Sequence, residues 1–428
     1  MTLPDAAAAN TPDSAPAPWK LRYWAVFIGQ SLSLLGSQLT QFVLLWWITD
    51  TTGSVGAVAT AGIAALLPQA LLSPLGGALA DRYSRRGLMM LADAVSAACI
   101  VALIALFASG GISLWQVYAA MAVRSAMQAF QSPAAAASVP MLVPRSFLPR
   151  AAGLNQTLQG ITAIVAAPLG ALALGLMPLG WALSIDVFTA AVAIGSLLVF
   201  RIPQPVRAAG GPGRTVLHDL AEGLRYIWRH RGLRQLYGLL AGVMLLVMPA
   251  FTLVPLLVKQ HFGQGPAQVA AVQGLLGAGM VAGGLLMTAL APRRQMPWIL
   301  GGFALCSLAL AGIAFTPAAL AAAAPLWWGL AGLAFVAGNT PLVALIQLSV
   351  PNELQGRAFS LLSALVGLAA PVGLALASPV GEWVGIRGLF IGMGLLGAAG
   401  CVAGFGSRAL RSLQAVTESP ATGRAAQG

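Results

Sequence analysis

Twelve apolar runs, each at least eighteen residues long, divide this chain: about 21–48, 55–80, 88–108, 114–139, 152–176, 180–200, 235–258, 267–290, 297–316, 324–348, 357–379 and 386–406. A helix of that length crosses the roughly 30 Å of a bilayer's hydrocarbon core. Only 8% of the residues are charged, against about 25% in a typical soluble domain. The expectation is an all-α integral membrane protein with twelve transmembrane helices.

Basic residues near spans stay on the cytoplasmic side. If the N-terminus lies inside, 20 of the 23 Lys and Arg residues fall on that side, Lys259 and Arg387 lie outside, and Arg124 sits within the fourth span. Both termini are therefore expected in the cytoplasm, in a multi-pass protein of the bacterial inner membrane. The same distribution accounts for the net charge of +12. Its arginines are scattered over short loops, and no basic helix or aromatic platform offers a nucleic acid a groove-binding surface. Membrane lipids are the expected polyanion contact. Cys99, Cys306 and Cys401 all lie within spans, and His218, His230 and His261 read as loop residues. Neither a disulfide nor a metal site is expected.

An internal repeat divides the chain. The segment Gly77-Ala78-Leu79-Ala80-Asp81-Arg82-Tyr83-Ser84-Arg85-Arg86 follows the second span, and Gly284 to Arg293 occupies the same slot 207 positions later. Pro144/Pro351 and Arg150/Arg357 keep that offset, and Pro168/Pro371 keeps the order at 203. The chain accordingly reads as a disordered cytoplasmic tail (1–19), a six-helix bundle (20–200), a basic linker with an amphipathic helix (201–234), a second six-helix bundle (235–407) and a cytoplasmic tail (408–428). Two pseudo-symmetric bundles can rock against each other about a central cavity.

A charge inside a span is expensive and marks a partner or a water-filled path. Arg124 thus faces either a cavity or an ion-pair partner. Asp93 and Asp186 are the acids embedded in spans, and each can take up a proton as its surroundings alternate or serve as a local structural pair. Gln30, Ser33, Ser37 and Gln41 share one stripe of the first span, Gln128 and Gln131 follow Arg124 on the fourth, and Asn155 and Gln159 share a side of the fifth. These amides and hydroxyls suit a cavity that recognises a small molecule by hydrogen bonds, or contacts between helices. Gly77, Asp81, Arg82, Arg85 and Arg86 can form contacts that exist in one state of the molecule and not another, biasing the equilibrium.

The Gly-x-x-x-Asp-Arg-x-x-Arg-Arg turn, the six-plus-six arrangement and the long middle loop resemble the major facilitator superfamily. Ser184-Ile185-Asp186 and Glu222-Gly223-Leu224-Arg225-Tyr226-Ile227-Trp228 are similar to its macrolide-efflux and siderophore-exporter branch, a set of drug:proton antiporters. The likeness spans about residues 20–408. It departs at Ser84, where the family usually carries Gly, and the second-half copy of the turn lacks its acid. The resemblance implies that Gly77, Asp81, Arg82, Arg85 and Arg86 form a gating latch and that Arg124 takes part in proton transfer. It further implies a monomer that exports small amphipathic compounds by proton-coupled alternating access. No cofactor is expected, the proton gradient being the energy source. The alternatives are an exporter dedicated to one metabolite such as a siderophore, or a nutrient importer. An embedded enzyme would need a cluster of catalytic side chains inside the spans, which the sequence lacks, and a non-transporting scaffold leaves Arg124 without a purpose.

Overall fold

The structure is a computed structural model and describes residues 19–200, 202 and 224–418. The N-terminal tail before residue 19, the linker positions 203–223 (with Leu217, His218 and Leu220) and residues 419–428 lie outside the described residues.

The long helices are α1 (Trp19–Thr52), α2 (Val55–Arg82), α3 (Arg85–Ala108), α4 (Leu114–Leu142), α5 (Leu148–Leu176), α6 (Leu179–Val199), α7 (Arg231–Phe262), α8 (Pro266–Leu290), α9 (Gln295–Phe315), α10 (Ala324–Ser349) and α11 (Asn352–Gly406). A shorter helix, α12 (Arg408–Glu418), follows. Local chemistry sets the boundaries. Ser54 and Ser84 cap α2 and α3 by accepting from the amides of Ala57 and Gly87, and Ser113 with Gln116 closes a capping box on α4. Gly263, at φ 65°, ends α7 in the left-handed conformation.

Ten of these helices are long and apolar enough to cross a membrane. The fourth, α4, falls outside that set because Arg124, Gln128 and Gln131 interrupt its apolar character. At 1.5 Å per residue, α11 would extend about 80 Å if straight, far more than one crossing. It breaks instead at Gly385, whose φ of 76° and ψ of 162° are open only to glycine. The apolar runs 357–379 and 386–406 leave 380–385 between them; the helix continues through that gap and turns on a single residue. With α4 included and α11 divided at Gly385, the described segments match the twelve-helix plan. Trp115, Trp181 and Trp383, 67%, 70% and 88% exposed, ring the helix ends on one face, as aromatic residues do at a membrane–water boundary.

These tryptophans mark the far face of the bundle. The opposite, basic face carries the start of α1 and Arg82, Arg85, Arg86, Arg145, Arg150, Arg293, Arg294 and Arg357. In the first half α1 packs on α5 and α6, α2 on α4, and α3 on α4 and α6. The second half repeats the pattern, with α8 on α10, α9 on α10, and both α7 and α9 on α11. The 207-residue offset reappears in the packing. A Cβ on Gly76 would lie 2.0 Å from the Ala129 carbonyl oxygen of α4, and one on Gly283 would lie 2.7 Å from that of Leu333 in α10. Each glycine lets two backbones touch, the small-residue contact common between membrane helices. Across the halves, α2 meets α11 and α5 meets α8.

Beyond α11, α12 docks on the start of α7. Leu410 is buried, and Leu413 and the Ala409 carbonyl lie against Gly232. His261 occupies the last turn of α7 rather than a loop, its Nε2 lying 2.8 Å from the Thr316 carbonyl oxygen.

Candidate functional site: a central cavity backed by two buried acids

Adjoining cavities surround the middle of α1. They share Leu34, Gln38, Gln41, Leu66, Gln69, Gln128 and Thr162 along their walls. Gln30, Gln38, Gln128, Gln131, Asn155 and Gln159 line a chamber of about 480 Å³ between α1, α4 and α5. Ser37, Gln41, Arg124 and Gln128 line a smaller one of about 230 Å³ against α4. Between the halves, Gln41 and Thr162 face Met248, Phe251 and Thr252 of α7 and Gln273 of α8 across about 490 Å³. The first-half wall is rich in amides and the second-half wall is mostly apolar.

The cavity opens toward the basic face and is shut at the far face. Near the basic ends of α2 and α11 a space of about 700 Å³ separates Ser73 and Pro74 from Gly356, Phe359 and Ser360. Toward the far face the same helices converge, until a Cβ on Gly381 would lie 2.7 Å from Val55 Cγ1. Polar contacts seal that end. Glu382 accepts from the Ser54 hydroxyl and the Gly56 amide, both at 2.7 Å. Lys259 pairs with Asp50 at 2.9 Å, and Gln260 donates to the Gly53 carbonyl.

Two carboxylates lie behind the amide wall. Asp186 of α6 is 3% exposed; Arg124 of α4 meets its Oδ2 at 2.7 Å, and the Ser37 hydroxyl donates to its Oδ1 at 3.2 Å. Gly36 makes room for this approach, since a Cβ there would lie 2.2 Å from Thr189 Oγ1 and 3.3 Å from Asp186 Oδ1. Asp93 of α3 is 4% exposed, and among the described residues its donors are all neutral: Gln131 Nε2 at 2.7 Å, Gln30 Nε2 at 3.3 Å and Ser33 Oγ at 3.5 Å. The Arg124–Asp186 pair is neutral overall, whereas an ionised Asp93 leaves a net buried charge that no cation among the described residues pairs with.

The stripe on α1 therefore straddles a boundary. At about 100° per residue, Ser33 turns toward the acids, Gln41 and Gln38 turn toward the cavity, and Gln30 and Ser37 between them touch both. Gln38, about 80° from Gln30, and Gln69 were not among the sequence candidates. Gln38 lies just beyond the stripe, and Gln69 is the lone amide in an apolar stretch of α2.

In the Asp-Arg turn, Arg85 donates to the carbonyls of Ala80 and Ala137, and Arg86 to those of Leu197 and Leu198 at the end of α6. Cations suit a helix C-terminus, where carbonyls lack intrahelical partners. These four contacts of Arg85 and Arg86 stay within the first half. Ser84, the departure from the usual glycine, caps α3. Gly77 has open space beside it. Asp81 closes the last turn of α2, and its side chain lies outside the described residues; Arg82 is exposed at the end of the same helix.

Over residues 26–364 the sequence matches the Major Facilitator Superfamily. The chain belongs to that superfamily. The Major Facilitator assignment is matched by its relatives. Macrolide efflux protein A of Streptococcus pyogenes is 28% identical, over 88% of this chain and 94% of that protein. The multidrug efflux pump Tap of Mycobacterium bovis is 26% identical, over 82% and 84%. A solved peptide transporter, POT, superposes with a TM-score of 0.68 at 13% identity, over 92% of this chain and 94% of that one. This is thus a multi-pass membrane protein of the Major Facilitator fold, and these relatives and the fold neighbour are transporters.

Proposed function

We propose that this protein exports small amphipathic compounds, of the kind its efflux relatives are named for, in exchange for protons. The observation that carries the reading is the juxtaposition of an amide-lined cavity, open at one face only, with two buried carboxylates directly behind its wall. In this reading the basic face is cytoplasmic, the membrane is the bacterial inner membrane, and the structure represents the inward-open state. One chain supplies both halves, so a monomer suffices. The protein makes and breaks no covalent bond in its substrate and needs no cofactor.

The geometry supports an exchange cycle. A substrate entering from the basic face meets hydrogen-bonding amides on the first-half wall and Met248, Phe251 and Val366 on the second, which matches a molecule with one polar and one apolar side. Outward opening must break the Lys259–Asp50 and Glu382–Ser54 contacts, and the gap between α2 and α11 must then close at the basic end. The open flank of Gly77 lies beside that gap, where Asp81, Arg82, Arg85 and Arg86 would latch the closed state. Asp93 is the preferred proton carrier, because a proton removes a buried charge that no cation among the described residues offsets. Arg124 and Asp186 would respond to it through α4 and α6.

The test is expression in a drug-sensitive bacterial strain. The reading predicts raised tolerance to macrolides and reduced cellular accumulation, with the reduction abolished by a protonophore. Unchanged accumulation across macrolides and cationic dyes would contradict it.

A further inference from the structure

We propose that Gln30 and Gln131 form a hydrogen-bond switch linking the charge of Asp93 to the surface that the cavity offers its substrate. This rests on the reading of Asp93 as the proton carrier. Both glutamines line the cavity, and both bond the acid behind it. With Asp93 they close a triangle: Gln131 Nε2 to Asp93 Oδ1 at 2.7 Å, Gln30 Nε2 to Asp93 Oδ2 at 3.3 Å, and Gln131 Nε2 to Gln30 Oε1 at 3.0 Å.

The triangle closes only around a charged acid. An ionised carboxylate accepts and cannot donate, whereas an amide offers two N–H groups on one atom and an acceptor on the other. Two acceptor oxygens on Asp93 hold both NH2 groups inward, and the second hydrogen of Gln131 satisfies Gln30. A proton on Oδ1 sets O–H against the Gln131 N–H. Turning Gln131 so that its oxygen accepts places that oxygen against Gln30 Oε1; turning Gln30 as well places its oxygen against Oδ2. A proton on Oδ2 requires the oxygen of Gln30, which brings the two nitrogens together; turning Gln131 then sets its oxygen against Oδ1. Every arrangement leaves one side mismatched.

Ser33 Oγ, 3.5 Å from Oδ1, is the other side-chain partner of the acid among the described residues and could accept its proton, at the limit of hydrogen-bonding distance. Other charged groups on the surrounding helices are committed elsewhere. Arg124 of α4 and Asp186 of α6 pair with each other, and Arg85 and Arg86, two turns away on α3, bond backbone carbonyls. Tyr23 of α1 and Cys99 of α3 make no hydrogen bond to Asp93.

Proton uptake therefore opens one side of the triangle and turns an amide N–H toward the cavity. With the acid charged, Gln131 has both hydrogens engaged and presents its oxygen, which suits a substrate face rich in hydroxyl or N–H donors. With the acid neutral, the wall presents a donor and that face is released. Binding to the charged form and release on protonation is the order that proton-driven export requires.

Infrared difference spectroscopy tests the switch without a substrate. The full chain, carrying ¹³C-labelled glutamine, is reconstituted in lipid and compared at alkaline and acidic pH. The expected spectrum shows a protonated-carboxyl band appearing together with a shifted glutamine side-chain carbonyl band. Asp93→Asn should lose both, whereas Gln131→Met and Gln30→Met should keep the carboxyl band and lose or halve the amide shift. Ser33→Ala should leave the amide shift as it is in the wild type; a shift that appears or grows only when Ser33 is removed would make Ser33 the wild-type acceptor and overturn the switch. A carboxyl band without any amide shift in the wild type would also overturn it, leaving Asp93 as proton carrier. A carboxyl band that survives in Asp93→Asn would remove the proton reading itself.

Discussion

Lys259 Nζ lies 2.9 Å from Asp50 Oδ1 and also donates to the backbone carbonyls of Thr49 and Asp50, tying the end of α7 to the end of α1. The side chains are 31% and 57% exposed, so water screens the pair and it contributes at most about 1 kcal/mol. A contact that weak can be broken on every cycle. Lys259→Ala should raise the far-face-open population by up to about fivefold. Spin labels at Thr52 and Gln264 would show this as a growing long-distance fraction, and an unchanged distribution would remove the pair from the gate.

Glu382 acts on the opposite flank of the same seal. Its carboxylate accepts two bonds at the start of α2, where amides and the helix dipole both favour an anion. Glu382→Gln keeps one acceptor and should shift the distance distribution modestly; Glu382→Ala should shift it further. The two sites lie on separate helices, so Glu382→Ala and Lys259→Ala should add nearly independently. Strong coupling would mean that one side chain positions the other.

The Arg124–Asp186 pair should behave as a buried ion pair. Removing either partner alone strands a charge and costs roughly 3–5 kcal/mol, so Arg124→Met and Asp186→Leu should each lower the thermal midpoint in detergent sharply. Combining them should recover most of the loss. A double variant as unstable as the singles would show that the pair supports the fold through other contacts. If the recovered variant still exchanges protons, the pair is structural and Asp93 alone carries the coupling.

Two adjacent glycines separate packing from gating. Gly76→Val forces a side chain into the Ala129 carbonyl and should prevent α2 from seating on α4, seen as lost expression of folded protein. Gly77→Ala meets open space and should fold normally. It should slow transport if this flank closes against α11. Normal transport by Gly77→Ala would place the closure elsewhere.

Helix boundaries were legible in the sequence because water-avoiding length is a property of each run alone. The 207-residue repeat was legible too, and it emerged in the matching glycine contacts of α2 and α8. Which glycine of a pair makes the contact was not, since the rotation of a helix about its axis depends on neighbours. The sequence reading singled out Gly77, and Gly76 is the packed one. The same limit governed the α1 stripe: spacing identified a polar face, but only packing showed that Ser33 serves the acids, that Gln38 and Gln41 line the cavity, and that Ser37 and Gln30 do both. Nor could the sequence pair Arg124 with Asp186, 62 positions away. That pairing needs the close approach of α3, α4 and α6.

The central claim is that a proton taken up at Asp93 drives a substrate the other way. Purified protein is reconstituted in liposomes with an acidic lumen, and uptake of radiolabelled erythromycin is followed after dilution into alkaline buffer. The account predicts gradient-driven accumulation by the wild type, lost with a protonophore and lost in Asp93→Asn although that variant still binds the compound. Accumulation by Asp93→Asn at the wild-type rate would contradict it.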